Sequence, residues 1–168
     1  LRPLLPAREA DALTSENMAL DPRVERVASG IRARPYPALP ALSITHSAGP
    51  GNFEADPVWY RGLEFGQDLE RGYDGHEDEF SPGFFHLPIA ADRLVVIAAT
   101  LGEPIADPAA LWEHESELRV AAMIGRQSGV RGRLALSADD FLYRTPQGRL
   151  GVLAGFPAGF GELYLVDR

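Results

Sequence analysis

A run of large apolar residues punctuated by glycine, from Val58 to Phe65, places the strongest limit on how this chain can fold. Its large side chains suit a helix or a strand equally: Trp59, Tyr60, Leu63 and Phe65. Gly62 and Gly66 are costly inside a helix, because glycine loses the most backbone freedom there. The run therefore predicts a strand that ends near Phe65, followed by one helical turn over residues 67–71.

Strand patterns recur on both sides of this run. Leu42 to His46 alternates apolar and polar residues with the period of a strand, and we expect His46 at a solvated edge rather than as a ligand. Residues 84–89 and 93–100 indicate two more strands. The nearly continuous apolar part of the second, Leu94 to Ala99, is typical of a strand covered on both faces. Short strands are also predicted near the two ends of the sequence, over residues 1–5 and 162–166.

The clearest helix signal lies in the second half of the sequence. Asp107 and Pro108 are typical of a helix start, with Asp as the N-cap and Pro at the first helical position. The helix is expected to run to about Ile124, with Leu111 and Leu118 on one face. This spacing predicts one amphipathic helix over residues 107–124.

Three other segments carry weaker signals. Residues 130–143 have apolar residues at helical spacing and predict a second helix. Asp21 and Pro22 indicate a short helical turn. Residues 74–82 are rich in acids, with proline and glycine at or next to the end, and are expected to form a loop.

Composition excludes several classes of function. The formal net charge is −8 and the pI is about 5.0, which argues against a nucleic-acid partner and against an anionic membrane surface. No apolar run is long enough to span a bilayer. The sequence has no cysteine, which excludes disulfides, thiolate catalysis and cysteine-ligated zinc, and which fits a cytoplasmic location.

The stretch from Phe53 to Ile89 combines aromatic rings with carboxylates, and this combination raises the functional question. About half of the chain's aromatic residues fall in it, together with a series of acids: Glu54, Asp56, Glu64, Asp68, Glu70, Asp74, Glu77, Asp78 and Glu79. Rings beside carboxylates suit a polyhydroxylated ligand or a polar domain interface. They also suit a loop that is pinned to the core by buried rings, with solvated acids outside.

Clustered carboxylates can support catalysis or metal binding. Glycoside hydrolysis needs two carboxyl groups roughly 5 to 9.5 Å apart, one of them protonated, whereas adjacent acids in a loop are usually solvated. Calcium needs oxygen ligands at a suitable spacing, and the EF-hand pattern is absent. His76, His86 and His114 do not have the spacing of a zinc motif. We therefore predict no catalytic residue, no metal site and no cofactor in this chain.

Three elements of this stretch carry a resemblance to a known family. Residues 59–61 read WYR, residues 70–74 read ERGYD and residues 77–83 read EDEFSPG. In this order and spacing they resemble the N-terminal domain of the bacterial and archaeal type of glycogen debranching enzyme (amylo-alpha-1,6-glucosidase). Because many fixed residue types recur over some thirty positions, the resemblance is more specific than a single short motif.

The resemblance implies a fold and a division of the chain. It implies a large β-sandwich of the supersandwich, mutarotase-like kind over residues 1–104. One or two linker helices would follow over residues 105–168 and lead towards a catalytic domain that is missing here. The fold class is then mainly β with α, and an α+β arrangement is the alternative. Because the sequence begins in the middle of that domain, we expect it to be a fragment.

The resemblance also implies a function. The parent enzyme would be a glycoside hydrolase acting on α-1,6-glucosidic branches. This chain would be non-catalytic, would support the catalytic domain and could contact the glucan. A stand-alone carbohydrate-binding module and a structural or assembly domain are the alternatives. Exposed rings would favour glucan binding, and buried rings would favour a structural role.

The candidate substrate-binding or interface residues all lie between positions 59 and 78: Trp59, Tyr60, Arg71, Asp74, Glu77 and Asp78. A guanidinium fork matches a carboxylate with two hydrogen bonds, so Arg71 is expected to bind Asp74, Glu77 or Asp78. The expected partners are an α-glucan and the missing catalytic domain. A second copy of the chain is a further candidate, because a partial sheet leaves an open edge.

Overall fold

The computed structural model describes residues 1–8, 12–49, 52–124, 129–139, 141–144, 148–153 and 163–165. Two compact units follow each other along the chain, Leu1–Trp112 and Glu113–Arg168. Antiparallel strands dominate the described residues, and a few helices accompany them. The predicted class, mainly β with α, is therefore confirmed, while the predicted division between residues 104 and 105 stays a prediction.

In chain order the elements are β1 (Val24–Val27), β2 (Gly30–Ala33), β3 (Leu42–His46), β4 (Asn52–Glu64), α1 (Gly66–Glu70), β5 (His76–His86), β6 (Ile97–Leu101), α2 (Pro108–Ile124), α3 (Val130–Asp139), β7 (Leu142–Arg144), β8 (Leu150–Leu153) and β9 (Leu163–Leu165). The strands form a sheet in the order β1-β2-β3-β6, a two-stranded sheet of β4 and β5, and a small sheet in the order β7-β8-β9. The first two sheets belong to the first compact unit and the third belongs to the second.

The four-stranded sheet depends on a close approach at Gly30. In the β2–β3 register Gly30 lies opposite Thr45. A Cβ added at Gly30 would lie 1.9 Å from the carbonyl oxygen of Ile44, so only glycine fits between these strands. Gly30 is also the first residue of β2 after the short connection from β1. The two strands pair in an antiparallel register, with Val27 opposite Gly30 and Val24 opposite Ala33.

The long two-stranded ribbon of β4 and β5 is irregular along β4, and the start of the chain hydrogen-bonds along β5. Its register shifts between Ala55 and Val58 and again between Tyr60 and Leu63, which is the signature of β-bulges. The free edge of β5 is covered by the start of the chain. Phe85 donates its backbone N–H to the carbonyl of Leu1 at 2.8 Å, and Leu5 donates to the carbonyl of Phe80 at 2.8 Å.

The hydrophobic core lies between the two sheets of the first unit. Its buried members come from both sheets and from the first residues of the chain: Leu5, Ile31, Ala33, Ile44, Phe53, Phe80 and Phe85. The rings of Phe53 and Phe85 meet edge to face with centroids 5.0 Å apart, and His46 meets Phe85 in the same way at 5.4 Å. Fully burying a side chain of this size contributes about 1.5 to 3 kcal/mol, so these contacts hold the layers together.

Several predicted elements are confirmed. The strand over residues 42–46 is β3, the strand ending near Phe65 is β4, and the turn over residues 67–71 is α1. Helix α2 begins where predicted, and the N–H of Ala110 donates to the Asp107 carboxylate at 3.0 Å, as an N-cap requires. Leu111 and Leu118 on this helix are nevertheless exposed.

Other predicted elements are wrong. The helical turn expected at Asp21 is absent. Strand β1 begins shortly after Asp21, because the sequence VERV pairs with β2. The loop expected over residues 74–82 is most of β5. The second predicted helix is present as α3 and begins at Val130 as predicted, but it ends at Asp139 rather than at Tyr143, and β7 follows. Residues 1–5 are not a regular strand, although they hydrogen-bond to β5.

The expected environments of β6 and His46 are also wrong. Strand β6 lies at the edge of its sheet among the described residues, and Ile97 and Leu101 are exposed rather than covered on both faces. His46 lies on β3, an inner strand, and is buried rather than solvated. The position of each strand in the sheet therefore decides its exposure to solvent. For both β6 and His46 this exposure is the opposite of what the sequence patterns indicated.

Candidate functional site

Trp59 and Tyr60 are neighbours on β4 and lie on opposite faces of the ribbon, as successive strand residues must. Trp59 is half-buried, and its ring lies against that of Phe80 with centroids 5.5 Å apart. Tyr60 lies opposite Glu79 in the register and is 39% exposed. One ring therefore supports the core, while the other remains available to a ligand.

Glu77 is the most buried of the predicted site residues. Its carboxylate accepts two hydrogen bonds from the guanidinium of Arg8, from Nε to Oε2 at 2.7 Å and from Nη2 to Oε1 at 3.0 Å. The backbone N–H of Thr14 donates a third at 3.2 Å. The carboxylate is fully shielded from solvent, and the Arg8 side chain is 22% exposed. These three hydrogen bonds join β5 to the start of the chain.

Burial and hydrogen bonding act in opposite directions on the pKa of Glu77. Burial alone would raise it, but the donors on Arg8 and Thr14 together outweigh burial, and the pKa lies below its ordinary value. The same pair raises the pKa of Arg8. Glu77 is therefore held as a carboxylate, which is the wrong state for a general acid.

Asp78 makes a parallel set of contacts on the other face of β5. Its Oδ2 accepts the N–H of Glu16 at 2.9 Å, and its Oδ1 accepts the N–H of Gly62 at 2.9 Å. These two backbone donors lower the pKa of Asp78. Its own N–H donates to the carbonyl of Thr14 at 2.7 Å. The Glu16 carboxylate also accepts a hydrogen bond from Nε of Arg61, so residues 14–16 are tied to both strands of the ribbon.

Glu79 is the one acid of this group whose pKa lies above its ordinary value. Burial is the largest cause, and the neighbouring charge and hydrogen bond of Glu77 add to it. Glu77 and Glu79 are two residues apart and lie on the same face of β5. This pair differs from a hydrolytic acid pair because the oxygens of Glu77 already hold Arg8 and Thr14.

Arg71 and Asp74 do not join this arrangement. Both are exposed, and the structure shows no side-chain hydrogen bond or ion pair of Arg71 within the described ranges. The oxygens of Asp74 face its near neighbour His76. The predicted fork from Arg71 to Asp74, Glu77 or Asp78 is therefore wrong, because Arg8 occupies Glu77 and backbone donors occupy Asp78.

Ser81, Pro82 and Gly83 shape the middle of β5. Phe80 and Phe85 both enter the core, although residues five apart on a regular strand point to opposite faces. Gly83 has a φ of 149°, and a Cβ there would lie 2.1 Å from the carbonyl oxygen of Glu54. The buried Ser81 hydroxyl donates to the Gly83 carbonyl at 3.1 Å. The kink lets both phenylalanines reach one core.

Two open cavities of the first unit lie away from this ribbon. The larger, about 520 Å³, is lined mainly by polar and charged residues, among them Asp21, Arg23, Arg32 and Arg34. The smaller, about 410 Å³, is almost entirely apolar and lies beside Leu5, Leu39, Leu42 and Leu101. Neither of these two cavities is lined by one of the six predicted site residues.

The described residues hold no group of three or more histidine, aspartate or glutamate side chains placed to bind a metal ion. Within the same ranges, no helix has the length and apolarity to cross a membrane.

Sequence reasoning missed Arg8, Thr14 and Glu16. They lie 62 to 69 residues from their partners and have no motif of their own. The only local signal was the short strand predicted over residues 1–5, which does not indicate what the start of the chain covers.

A comparison with protein families gives a match over more than half of the chain. The family model described as "Glycogen debranching enzyme N terminal" matches residues 1–96. The chain belongs to this family. The search of curated proteins and the search of solved structures gave no match.

The start of the chain binds β5 through hydrogen bonds from Arg8, Thr14 and Glu16 to Glu77 and Asp78, which we call the clasp. The matched part of this glycogen debranching enzyme N-terminal domain contains all of these residues. It ends just before β6. The ERGYD element forms the end of α1 and the turn into β5, the ED pair supplies the two clasping carboxylates, and the SPG element forms the kink. Two of the three elements that carried the resemblance, ERGYD and EDEFSPG, therefore have identifiable structural roles in this chain.

Proposed function

We propose that this chain is a non-catalytic domain of a glycogen debranching enzyme, which supports the catalytic domain and contacts the α-glucan through the outer face of the β4–β5 ribbon. The family match supports the assignment to such an enzyme. The observation that carries the non-catalytic role is the use of Glu77 and Asp78 as clasps, with their carboxylate oxygens occupied by Arg8, Thr14, Glu16 and Gly62.

Glucan contact rests on Tyr60. An exposed ring beside carboxyl groups offers a sugar both a flat apolar face and hydrogen-bond acceptors. Tyr60 is exposed, and Glu79 lies opposite it on the neighbouring strand. The half-buried Trp59 supports the alternative, a structural domain without a ligand, because its ring is committed to Phe80.

The first experiment measures glucose release from a branched α-glucan by the purified chain. We expect no release above the no-enzyme blank, because glycoside hydrolysis needs an acid and a base that are free to act, and the oxygens of Glu77 and Asp78 are occupied by donors. Turnover that disappears on Glu77→Gln would overturn the non-catalytic assignment. A debranching enzyme of known activity, assayed in parallel, shows that the substrate is competent.

The second experiment measures binding of the same glucan by affinity electrophoresis. Tyr60→Ala should lower the retardation of the chain in a glucan-containing gel. Tyr73→Ala is the matched control, because Tyr73 is an exposed ring at the turn before β5. Equal retardation of the two variants would favour the structural alternative.

A cytoplasmic location is part of the proposal. The sequence has no cysteine, and a domain without disulfides is suited to a reducing compartment. Fractionation of the source cells with an antibody against the chain tests this, and recovery in an exported fraction would contradict it.

A further inference from the structure

The larger open cavity of the first unit, about 520 Å³, concentrates positive charge in a chain whose net charge is −8. Three of its lining residues are arginines, Arg23, Arg32 and Arg34, and two are acids, Asp21 and Glu25. A concave surface with an excess of one sign of charge attracts ligands of the opposite sign. The cavity is therefore suited to a small anion.

The β1–β2 pair places two of these charged side chains on the face of the sheet away from the core. Arg32 lies between Ile31 and Ala33, which are both buried in the core, so the side chain of Arg32 leaves β2 on the opposite face. Glu25 lies opposite Arg32 in the register and shares that face. The strands thus bring a guanidinium and a carboxylate to the cavity without burying either in the core.

The three guanidiniums differ in how far they are already engaged. Arg23 binds Asp21, with Nη2 2.6 Å from Oδ2 and Nε 2.9 Å from Oδ1. Arg32 lies beside Glu103, with Nη2 3.2 Å from Oε1. Arg34 is exposed, and no hydrogen bond or ion pair joins its side chain to any residue that the structure describes. Because a guanidinium carries five N–H donors, Arg34 and most of Arg32 remain available to a ligand.

The number of guanidiniums favours a phosphate over a carboxylate. One guanidinium fork matches one carboxylate, as Arg23 does for Asp21. A phosphate monoester carries a charge of about −1.5 to −2 near pH 7 and three acceptor oxygens, so it requires more than one such group. Arg32 and Arg34 are two residues apart, and the proline after Arg34 favours an extended backbone there. Both side chains therefore leave the segment on the same side and can share one phosphate.

The rest of the cavity suits a sugar attached to that phosphate. Its volume of about 520 Å³ lies within the range of about 300 to 1,000 Å³ that is usual for pockets binding small organic ligands. Glu25 offers carboxylate oxygens that accept hydrogen bonds from hydroxyl groups. Val24, Ala33 and Ala41 add apolar lining.

We propose that this cavity binds a sugar phosphate, with Arg32 and Arg34 on the phosphate group and Glu25 on a hydroxyl group of the sugar. The site goes beyond the proposed glucan contact and uses none of its residues. Free phosphate shares the anionic chemistry of this ligand, and the two sources are separated by comparing their affinities.

Isothermal titration calorimetry of the purified chain with glucose 6-phosphate, inorganic phosphate and glucose tests the proposal. Glucose 6-phosphate should bind most tightly, because the other two each lack one half of the ligand. Arg34→Gln should weaken its binding by about tenfold or more, since hydrogen bonds between charged groups are lost. Arg93→Gln is the matched control, because it removes the same charge from an exposed arginine outside the cavity. Circular dichroism confirms that both variants fold.

A second variant tests the part played by the sugar. Glu25→Ala should tighten the binding of inorganic phosphate by about threefold, because a nearby negative charge is removed. Glucose 6-phosphate should gain less, because its sugar loses a hydrogen-bond acceptor, so the preference for it over inorganic phosphate should fall. A gain in affinity on Glu25→Ala and a loss on Arg34→Gln cannot both result from partial unfolding.

Three results would overturn the proposal. Absence of binding by glucose 6-phosphate would leave the arginines with a purely structural role. Equal weakening by Arg34→Gln and Arg93→Gln would make the binding a general effect of charge. Equal affinities for glucose 6-phosphate and inorganic phosphate would assign the cavity to free phosphate and exclude the sugar.

Discussion

Two edge strands of the first compact unit, β5 and β6, differ in how they are covered. The edge at β5 is covered by residues 1–5, Arg8 and residues 14–16, which bring backbone hydrogen bonds to the strand and to its acids, and bring the Arg8 guanidinium to the buried carboxylate of Glu77. The edge at β6 has no such cover among the described residues, and its side chains are aliphatic. The acids of β5 thus bind the segment at the start of the chain. The apolar residues of β6 instead lie at an edge that remains exposed.

This contrast changes the meaning of the acidic stretch. In the sequence, Glu77 and Asp78 form part of a dense acidic run that suits sugar binding or catalysis. In the structure both are anchors, while Glu79 beside them is half-buried and Asp74 is exposed. A carboxylate whose oxygens are occupied by buried donors contributes to stability and specificity of the fold rather than to chemistry.

The largest expected effect is on the clasp itself. Arg8→Ala leaves the carboxylate of Glu77 buried without its ion partner, and breaking such a pair costs about 3 to 5 kcal/mol. Arg23→Ala is the matched control, because the Arg23 side chain is 86% exposed in its pair with Asp21, and exposed pairs contribute about 0 to 1 kcal/mol. Urea denaturation gives both free energies of unfolding. Equal losses for the two variants would remove the distinction between clasped and solvated acids.

The next effect concerns the kink that sets the clasped strand in place. Gly83→Ala places a Cβ 2.1 Å from the Glu54 carbonyl oxygen at a φ of 149°, and we expect a loss of about 1 to 3 kcal/mol from crowding and backbone strain. Gly66→Ala is the control, because a Cβ there meets nothing within 4 Å and alanine favours a helix. Thermal unfolding followed by circular dichroism compares them. A Gly83→Ala variant as stable as Gly66→Ala would show that β5 needs no kink.

The smallest effect is a difference in pH dependence between Glu77 and Glu79. The pKa of Glu77 is lowered on folding, so its contribution is present above the ordinary carboxyl pKa and is lost as the pH falls through the lowered value. The pKa of Glu79 is raised, so its contribution is present below the ordinary pKa and is lost as the pH rises through the raised value.

Glu79→Gln should therefore raise the free energy of unfolding at neutral pH relative to acidic pH, by about 1 kcal/mol or less because Glu79 is only half-buried. Glu77→Gln should have the opposite pH dependence. Urea denaturation at a series of pH values measures both. Parallel pH profiles for the two variants would contradict the assignment of opposite pKa shifts.

Local patterns predicted the elements whose signals are contained within them. Strand β3 follows its alternation, β4 follows from glycines that disfavour a helix, and α2 follows from the Asp107 cap. The same logic failed for β5, because acids, proline and glycine are typical of loops. In this strand the acids are neutralised by a segment more than sixty residues earlier in the chain.

The candidate site was predictable only in part, for the same reason. The alternation of β4 placed Trp59 and Tyr60 on opposite faces, which matches one half-buried and one exposed ring. The partner of Glu77 was sought within a few residues, at Arg71, but the structure supplies Arg8. A guanidinium fork can bind any buried carboxylate that lies within its reach. Which carboxylate lies within reach depends on the order of the strands in the sheet, and no local sequence pattern contains that order.

A double-mutant cycle between Arg8 and Glu77 tests the central claim most directly. The free energies of unfolding of the parent chain, Arg8→Ala, Glu77→Gln and the double variant give the coupling energy between the two side chains. If Glu77 is a structural anchor, Arg8→Ala will cost less in the Glu77→Gln background, by a coupling energy of about 1 to 3 kcal/mol. Losses that add to within about 0.5 kcal/mol would show that the two side chains act independently, and would contradict the assignment of Glu77 to the clasp.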